Sequence, residues 1–316
     1  MKSDAVPRPD LAAELREKPV TTIGPNFMGL EILPLARTRD KEDTVGIPDL
    51  DKRLERPTDD IRKPKAGYPR MDYQTASHSY ACHERGLEDL VDSSQEADVE
   101  EDFDAELDMA RNLYFNSQLL QEIRIAGIVF NGTTFASYTG NVGTEWDNSG
   151  NPYTDVKDTV ATLLANVGGA LPAGIEICLA VSDTVFGHIE ANSAINAKRG
   201  GGTGARAKID DKLALQEAEL ARILGIDRVF RSRAQADGAD VWDDEYAMLF
   251  LRHIGRSVAV PQLGRTWLWT RDCPENNLVE SYRAENRRST VVRVRQYTDE
   301  DIMNVRCGYL LGNIST

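Results

Sequence analysis

The 316-residue sequence is marked first by what it lacks. It has no apolar run near the roughly 20 residues that a membrane-spanning helix needs, which excludes that class of protein. Its four cysteines, Cys82, Cys178, Cys273 and Cys307, are scattered with no CxxC spacing, so reduced thiols in a cytoplasmic setting are expected. A cationic surplus is missing as well. With 51 acidic residues against 37 basic ones the net charge is −14, a poor basis for wrapping nucleic acid by phosphate neutralisation. The four histidines, His78, His83, His188 and His253, fall in no acid–base or metal spacing. No GxSxG elbow, HExxH helix or phosphate loop occurs. The amino-terminal stretch MKSDAVPRPDLAAELREKP has no apolar core and does not read as a signal peptide. What remains, 41% hydrophobic and 28% charged, is the composition of a soluble protein with room for one large domain or two modest ones.

The most informative stretch that is present runs from Ser93 to Asn131 and reads as one long helix. Phe103, Leu107, Ala110, Leu113, Ser117, Leu120 and Ile123 recur at helical spacing and predict the inward face. Asp104, Asp108, Arg111, Gln118 and Glu122 fall opposite. Ser93 with Glu96, and Asp98 with Glu101, fit capping boxes, and the crowd of carboxylates in the first half suits the positive end of the helix dipole. A rod of about 30 residues spans roughly 45 Å, which suggests a structural spine.

Residues 1–26 are polar and without sustained periodicity, and read as an extended arm. After a short apolar run, Met28 to Leu35, come about 40 residues dense in charge, Pro and Gly. Pro48, Pro57, Pro64 and Pro69 forbid helix over most of them. So long a connection without its own core is expected either to be disordered or to order against a neighbouring molecule. Residues 76–92 read as a strand leading to the spine, with His78, Tyr80 and Cys82 on one face and His83 pointing away. His78, Cys82 and His83 are too few for a zinc site and are read as packing residues.

Beyond the spine, residues 132–150 read as loop. Helices are expected from Asn151-Pro152 (stripe Val156, Val160, Leu163, Leu164, Val167), from Ser182-Asp183 (Val185, Phe186, Ile189) and over Asp210 to Leu224 (Leu213, Leu220, Leu224). Strands are expected at Ile175 to Val181, Ile226 to Arg233, Tyr246 to Leu251 and Thr266 to Thr270, giving an α/β subdomain. Between them, Gly202, Gly204 and Ala207 formally satisfy GxGxxA, but no strand feeds them, so a surface loop is the reading. The last forty residues predict a hairpin of Ser289 to Gln296 and Ile302 to Leu311, turning at Asp299-Glu300-Asp301 and packing on the spine. The five arginines between Arg283 and Arg295, facing only Glu285, make a block that either pairs between copies of the chain or, as charge runs more often do, forms a solvated face.

In this order of parts the chain resembles the major capsid proteins of tailed phages, the Hong Kong 97-type fold. The resemblance is carried by Ser79 to Asp92, Trp146 ahead of Asn151-Pro152, Leu224 to Val229, Pro261 to Trp267 and Arg306 to Asn313, and covers roughly residues 27–313. It implies an α+β subunit: an amino-terminal arm and first strand (1–34), an extended loop over the neighbouring subunit (35–76), a peripheral domain with the spine helix (77–140), an axial domain (141–275) and a return to the peripheral domain (276–316). It further implies hexamers and pentamers that close into an icosahedral shell around double-stranded DNA, without sequence-specific binding. Separate scaffolding, portal or decoration proteins would be partners, and the shell would be assembled in the host bacterial cytoplasm. Some members crosslink a loop lysine to a neighbour; Lys52, Lys63 and Lys65 lie in the right segment but read as surface lysines. No catalytic residue, metal or cofactor is expected. The alternatives are an encapsulin-like compartment shell and a soluble α/β enzyme.

Overall fold

The computed structural model describes residues 6–11, 26–54, 61–62, 68, 75–92, 105–169, 171–199 and 215–315. In chain order these form β1 (Val6–Pro7), α1 (Gly29–Ile32), β2 (Leu35–Thr38), β3 (Glu42–Pro48), α2 (Leu50–Leu54), β4 (Thr75–Ala81), β5 (His83–Asp92) and the spine α3 (Ala105–Val129). Then come β6 (Thr139–Asn141), α4 (Pro152–Asn166), β7 (Ile175–Ser182), α5 (Asp183–Ala191), α6 (Ser193–Arg199), α7 (Glu217–Leu224) and β8 (Arg228–Ser232). The chain closes with β9 (Gln235–Ala236), β10 (Ala239–Asp240), β11 (Ala247–His253), β12 (Gly264–Trp269), β13 (Leu278–Ala284), β14 (Ser289–Ile302) and β15 (Gly308–Gly312).

Two larger sheets carry the molecule. The five-stranded one has the order β6-β15-β11-β7-β8. Its central strands are buried on both faces, so they read as continuous apolar runs. Along β11, Ala247, Leu249 and Leu251 join the core under α4, α5, α6 and α7, while Met248 and Phe250 join a second core on the other face. Local signals act as expected here: Asn151 caps α4 ahead of Pro152, and the Ser182 hydroxyl accepts from Val185 N–H at the start of α5.

The six-stranded sheet has the order β1-β13-β14-β12-β2, with β5 also pairing β14. Residues Val291, Val292 and Val294 of the 14-residue β14 are buried there. The spine spans the two sheets. Leu107 and Ala110 pack with Val91, Val279, Val292 and Val294 of the large sheet, whereas Ile125, Ala126 and Val129 pack in the second core of the small one. The arm ends against the large sheet: β1 pairs β13, Leu11 is buried beside Leu107, and Arg8 donates to Glu106 at 2.7 Å.

The spine corrects its expected face. Leu120 is 45% exposed and Ile123 38% exposed, whereas Glu122, placed outward from sequence, is 3% exposed. Stepping from Ala110 by the true helical repeat gives Ser117, Gln121 and Ile125, all buried, so the stripe passes through polar residues that apolarity cannot mark. The described helix starts at Ala105; both capping boxes, Phe103 and Asp104 lie outside the described residues. We therefore expect Leu107→Asp to abolish soluble expression, since a buried unpaired charge costs several kcal/mol. Leu120→Asp should leave the thermal midpoint within a few degrees. Thermal melts of the two variants distinguish the faces.

Other expectations also change. The expected terminal hairpin does not exist: β14 runs through Asp299, Glu300 and Asp301 as strand in the large sheet, and β15 joins the small sheet beyond a 3₁₀ turn. Met303, Val305, Cys307, Tyr309 and Leu311 accordingly split among three cores. The strand β12, expected to belong with the α/β segment, pairs β14 and β2 in the large sheet. Residues 76–92 form two strands that part at the buried Cys82. A short strand, β6, lies in the stretch read as loop, and α5 and α6 are separated at Asn192. The described part of the helix expected over 210–224 starts at Glu217, and Leu213 and the glycine loop lie outside the described residues.

Candidate functional site

The segment without an expected core is anchored at its root. Strands β3 and β4 pair antiparallel over seven residues, from Glu42↔Ala81 to Pro48↔Thr75, as a separate two-stranded ribbon. The period-two pattern gives it two unlike faces. Ile47 and Tyr80 lie against Trp267 and Met303, and the Tyr80 and Trp267 rings stack at 4.3 Å. The Tyr80 hydroxyl lies 2.6 Å from Thr38 Oγ1. On the other face Thr44 and Ser79 share a hydroxyl contact of 2.9 Å and are exposed. Beyond β3, Leu50 enters the core of the small sheet and Asp51 pairs with Arg306. The root of the loop is thus folded on its own chain. Farther out, Ile61 is 71% exposed and Tyr68 75% exposed, with the Arg62 guanidinium 5.4 Å from the Tyr68 ring centre.

At the root lies an open depression of about 560 Å³ lined by Glu42, Asp43, Thr44, Ser79, Tyr80, Ala81, His83 and Asp299. Burial pushes the Asp299 carboxyl up, against the Ala81 N–H that donates to it at 2.8 Å. The lining is polar and shallow, unlike the apolar enclosed pockets that hold small ligands. The expected packing trio is distributed: His78 Nε2 lies 2.7 Å from Asp301 Oδ2, Cys82 is buried and His83 is exposed. His188 faces Ser315 and His253 faces the Gly174 carbonyl. Among the described residues no three His, Cys, Asp or Glu side chains group as metal ligands. All four cysteines are buried and none is in a disulfide; burial pushes Cys82 up to about 11 and Cys178 up to about 12, which holds them as thiols. Lys52 sits in α2, while Lys63 and Lys65 lie outside the described residues.

Two buried carboxylate hubs, invisible to sequence reading, hold the frame on which the ribbon sits. In the first, Glu122 Oε1 accepts from Met28 N–H and Trp242 Nε1, both at 2.7 Å, and Oε2 accepts from Gly29 N–H at 2.8 Å. Gly29 is required by this approach, because a Cβ there would lie 2.7 Å from Glu122 Oε2. In the second, Glu300 takes Arg124 in a fork (3.1 and 2.9 Å), with Gln121 at 3.1 Å and Thr298 at 2.8 Å. A third cluster joins β13 and β14: Glu280 accepts from Arg293 at 2.6 Å and from Arg295 at 2.9 and 3.0 Å. Arg293 and Arg295 of the arginine block are therefore engaged within the chain.

Burial alone would raise Glu280 and Glu300. Their arginines outweigh it, and both carboxyls end below the usual range. A depressed folded pKa contributes stability that is full above the ordinary carboxyl value near 4.3 and is lost as pH falls through the folded value. Urea unfolding at pH 7 and at pH 3 is expected to show a marked loss for the wild type. The loss should be smaller in Glu280→Gln, whose neutral side chain has nothing left to titrate.

The sequence matches no protein-family model and no curated protein. Solved structures do match, over nearly the whole chain. A phage-related protein from Bordetella bronchiseptica RB50 superposes with a TM-score of 0.67 at 16% identity, covering 98% of each chain. The capsid of the cyanophage P-SCSP1u gives 0.60 at 11% identity, covering 93% of this chain and 90% of that one. A virus-like particle from Pyrococcus furiosus gives 0.53 at 13%, covering 96% and 97%. Spine, ribbon and two sheets together therefore make the Hong Kong 97-type capsid fold, which this chain shares along almost its full length.

Proposed function

We propose that this chain is a capsid shell subunit. Copies would form hexamers and pentamers that close into an icosahedral shell of a virion around double-stranded DNA, assembled in the host bacterial cytoplasm. The observation that carries the reading is fold agreement with capsid structures over more than nine-tenths of the chain. It is supported by a ribbon whose root is anchored while Ile61 and Tyr68 stand exposed. In this reading the loop lies over the neighbouring subunit, the large sheet and spine form the peripheral part, and the small sheet with its helices forms the axial part. The role is structural, not catalytic. A compartment shell enclosing protein cargo would use the same geometry, and no feature of this chain favours it. The test is negative-stain microscopy and size-exclusion chromatography of the chain produced alone: rings or closed particles support the reading, and a monodisperse monomer opposes it.

A further inference from the structure

We propose that the lysine pair gathered on Tyr153 receives the acidic β9–β10 hairpin of a second copy of this chain. The inference rests on the shell reading and names one contact within it. Tyr153 and Lys157 stand one turn apart on α4, and Lys198 reaches the same ring from α6. Lys198 Nζ lies 3.9 Å from the ring centre and Lys157 Nζ 4.9 Å. The ammonium groups of Lys157 and Lys198 hold the Tyr153 hydroxyl below the usual phenol range.

Two cations on one ring repel each other, and the ring face offsets only part of that. Among the described residues neither lysine has a carboxylate within ion-pair distance. By contrast, four arginines of the same small-sheet region are paired: Arg199 with Glu219, Arg228 with Glu176, and Arg231 and Arg233 with Asp183. On a chain of net charge −14, an exposed cationic pad with no anion among the described residues points to an acidic partner.

The chain carries a suitable one. The β9–β10 hairpin turns at Asp237 (φ 52°) and Gly238 (φ 80°), the two-residue left-handed turn that fixes a hairpin tip. Asp237 is exposed at that tip. Asp240, Asp243, Asp244 and Glu245 follow, and no Lys or Arg occurs between Arg233 and Arg252. Asp240 is tied to Thr184 and Gln235, which steadies the base.

The hairpin leads into Trp242 of the second core and is tied at Asp240 to the start of α5, whereas the pad is made by α4 and α6. Among the described residues no ion pair joins pad and hairpin. A contact between two unlike patches is heterologous, and repeated around an axis it closes a ring.

The experiment uses the full chain with Lys157→Glu/Lys198→Glu, with Asp237→Lys/Asp244→Lys, and with all four changes. Circular dichroism checks folding, and Lys157→Gln/Lys198→Gln serves as a milder variant should the reversal misfold. We expect each reversal to abolish rings and particles seen by microscopy, and the fourfold variant to restore them. Particles from Lys157→Glu/Lys198→Glu at wild-type yield overturn the contact while leaving the shell reading intact. Loss without restoration in the fourfold variant also overturns it, and points instead to a nucleic-acid phosphate on the lysines. A wild-type chain that never assembles overturns the shell reading and this contact together.

Discussion

Replacing Glu122 by alanine is expected to lower stability by at least about 3 kcal/mol, the largest effect we expect from a single side chain. The carboxylate sits 3% exposed at the point where three parts of the chain meet. It receives the first N–H groups of α1, which have no partner inside their own helix, and the indole of a tryptophan that is 1% exposed. Alanine leaves all three donors buried without an acceptor, and each such orphan costs about 1–3 kcal/mol. A domain of this size has only about 5–15 kcal/mol in hand. Glutamine should fall between: its oxygen can still serve Met28 and Trp242, but its amide meets the Gly29 N–H donor to donor. Burial pushes the Glu122 carboxyl above its usual range, so its own contribution is fullest below the unfolded value and is lost as pH rises through the folded one. Acid lability must therefore come from the arginine-bound carboxylates and not from this hub. Urea midpoints for wild type, Glu122→Gln and Glu122→Ala should fall in that order, and an alanine variant within 1 kcal/mol of wild type would contradict the role.

Exchanging residues 55–74 for a Gly/Ser linker of about eight residues is expected to abolish closed particles while leaving the subunit folded. The exchange spares everything that anchors the root: the paired strands, the Tyr80–Trp267 stack, and Leu50 in the small-sheet core. Replacing about twenty residues by about eight between fixed ends changes closure entropy by less than about 1 kcal/mol. What it removes is Ile61 and Tyr68, the two most exposed of the large apolar side chains described. Exposed aromatic and aliphatic side chains are the usual anchors of an interface. The thermal midpoint should hold within a few degrees while particles disappear from micrographs. Normal particles from the exchanged chain would mean that the loop is no clamp between subunits.

Much of the fold was legible because its elements announce themselves locally. Asn151-Pro152, Ser182-Asp183 and the glycine pair after α4 are end signals that need no tertiary context, and the structure uses each one. The likeness to the capsid fold was legible too, although the terminal hairpin expected as its last part is two strands of different sheets. What sequence hid was pairing at a distance. Glu122 looks like a solvent-facing residue until Trp242 and Met28 are brought beside it, across separations of 120 and 94 residues. Strands β14 and β15 each alternate as a hairpin arm would, but alternation reports a half-buried strand and not its partner. Asp237-Gly238 was an overlooked local signal, a two-residue hairpin turn standing in plain view.

The central claim is that the surfaces of this subunit are completed by other copies of itself. The direct measurement is negative-stain electron microscopy of the purified 316-residue chain at high concentration. We predict five- and six-fold rings or closed icosahedral particles, and a field of single compact molecules that persists as concentration rises would contradict the account.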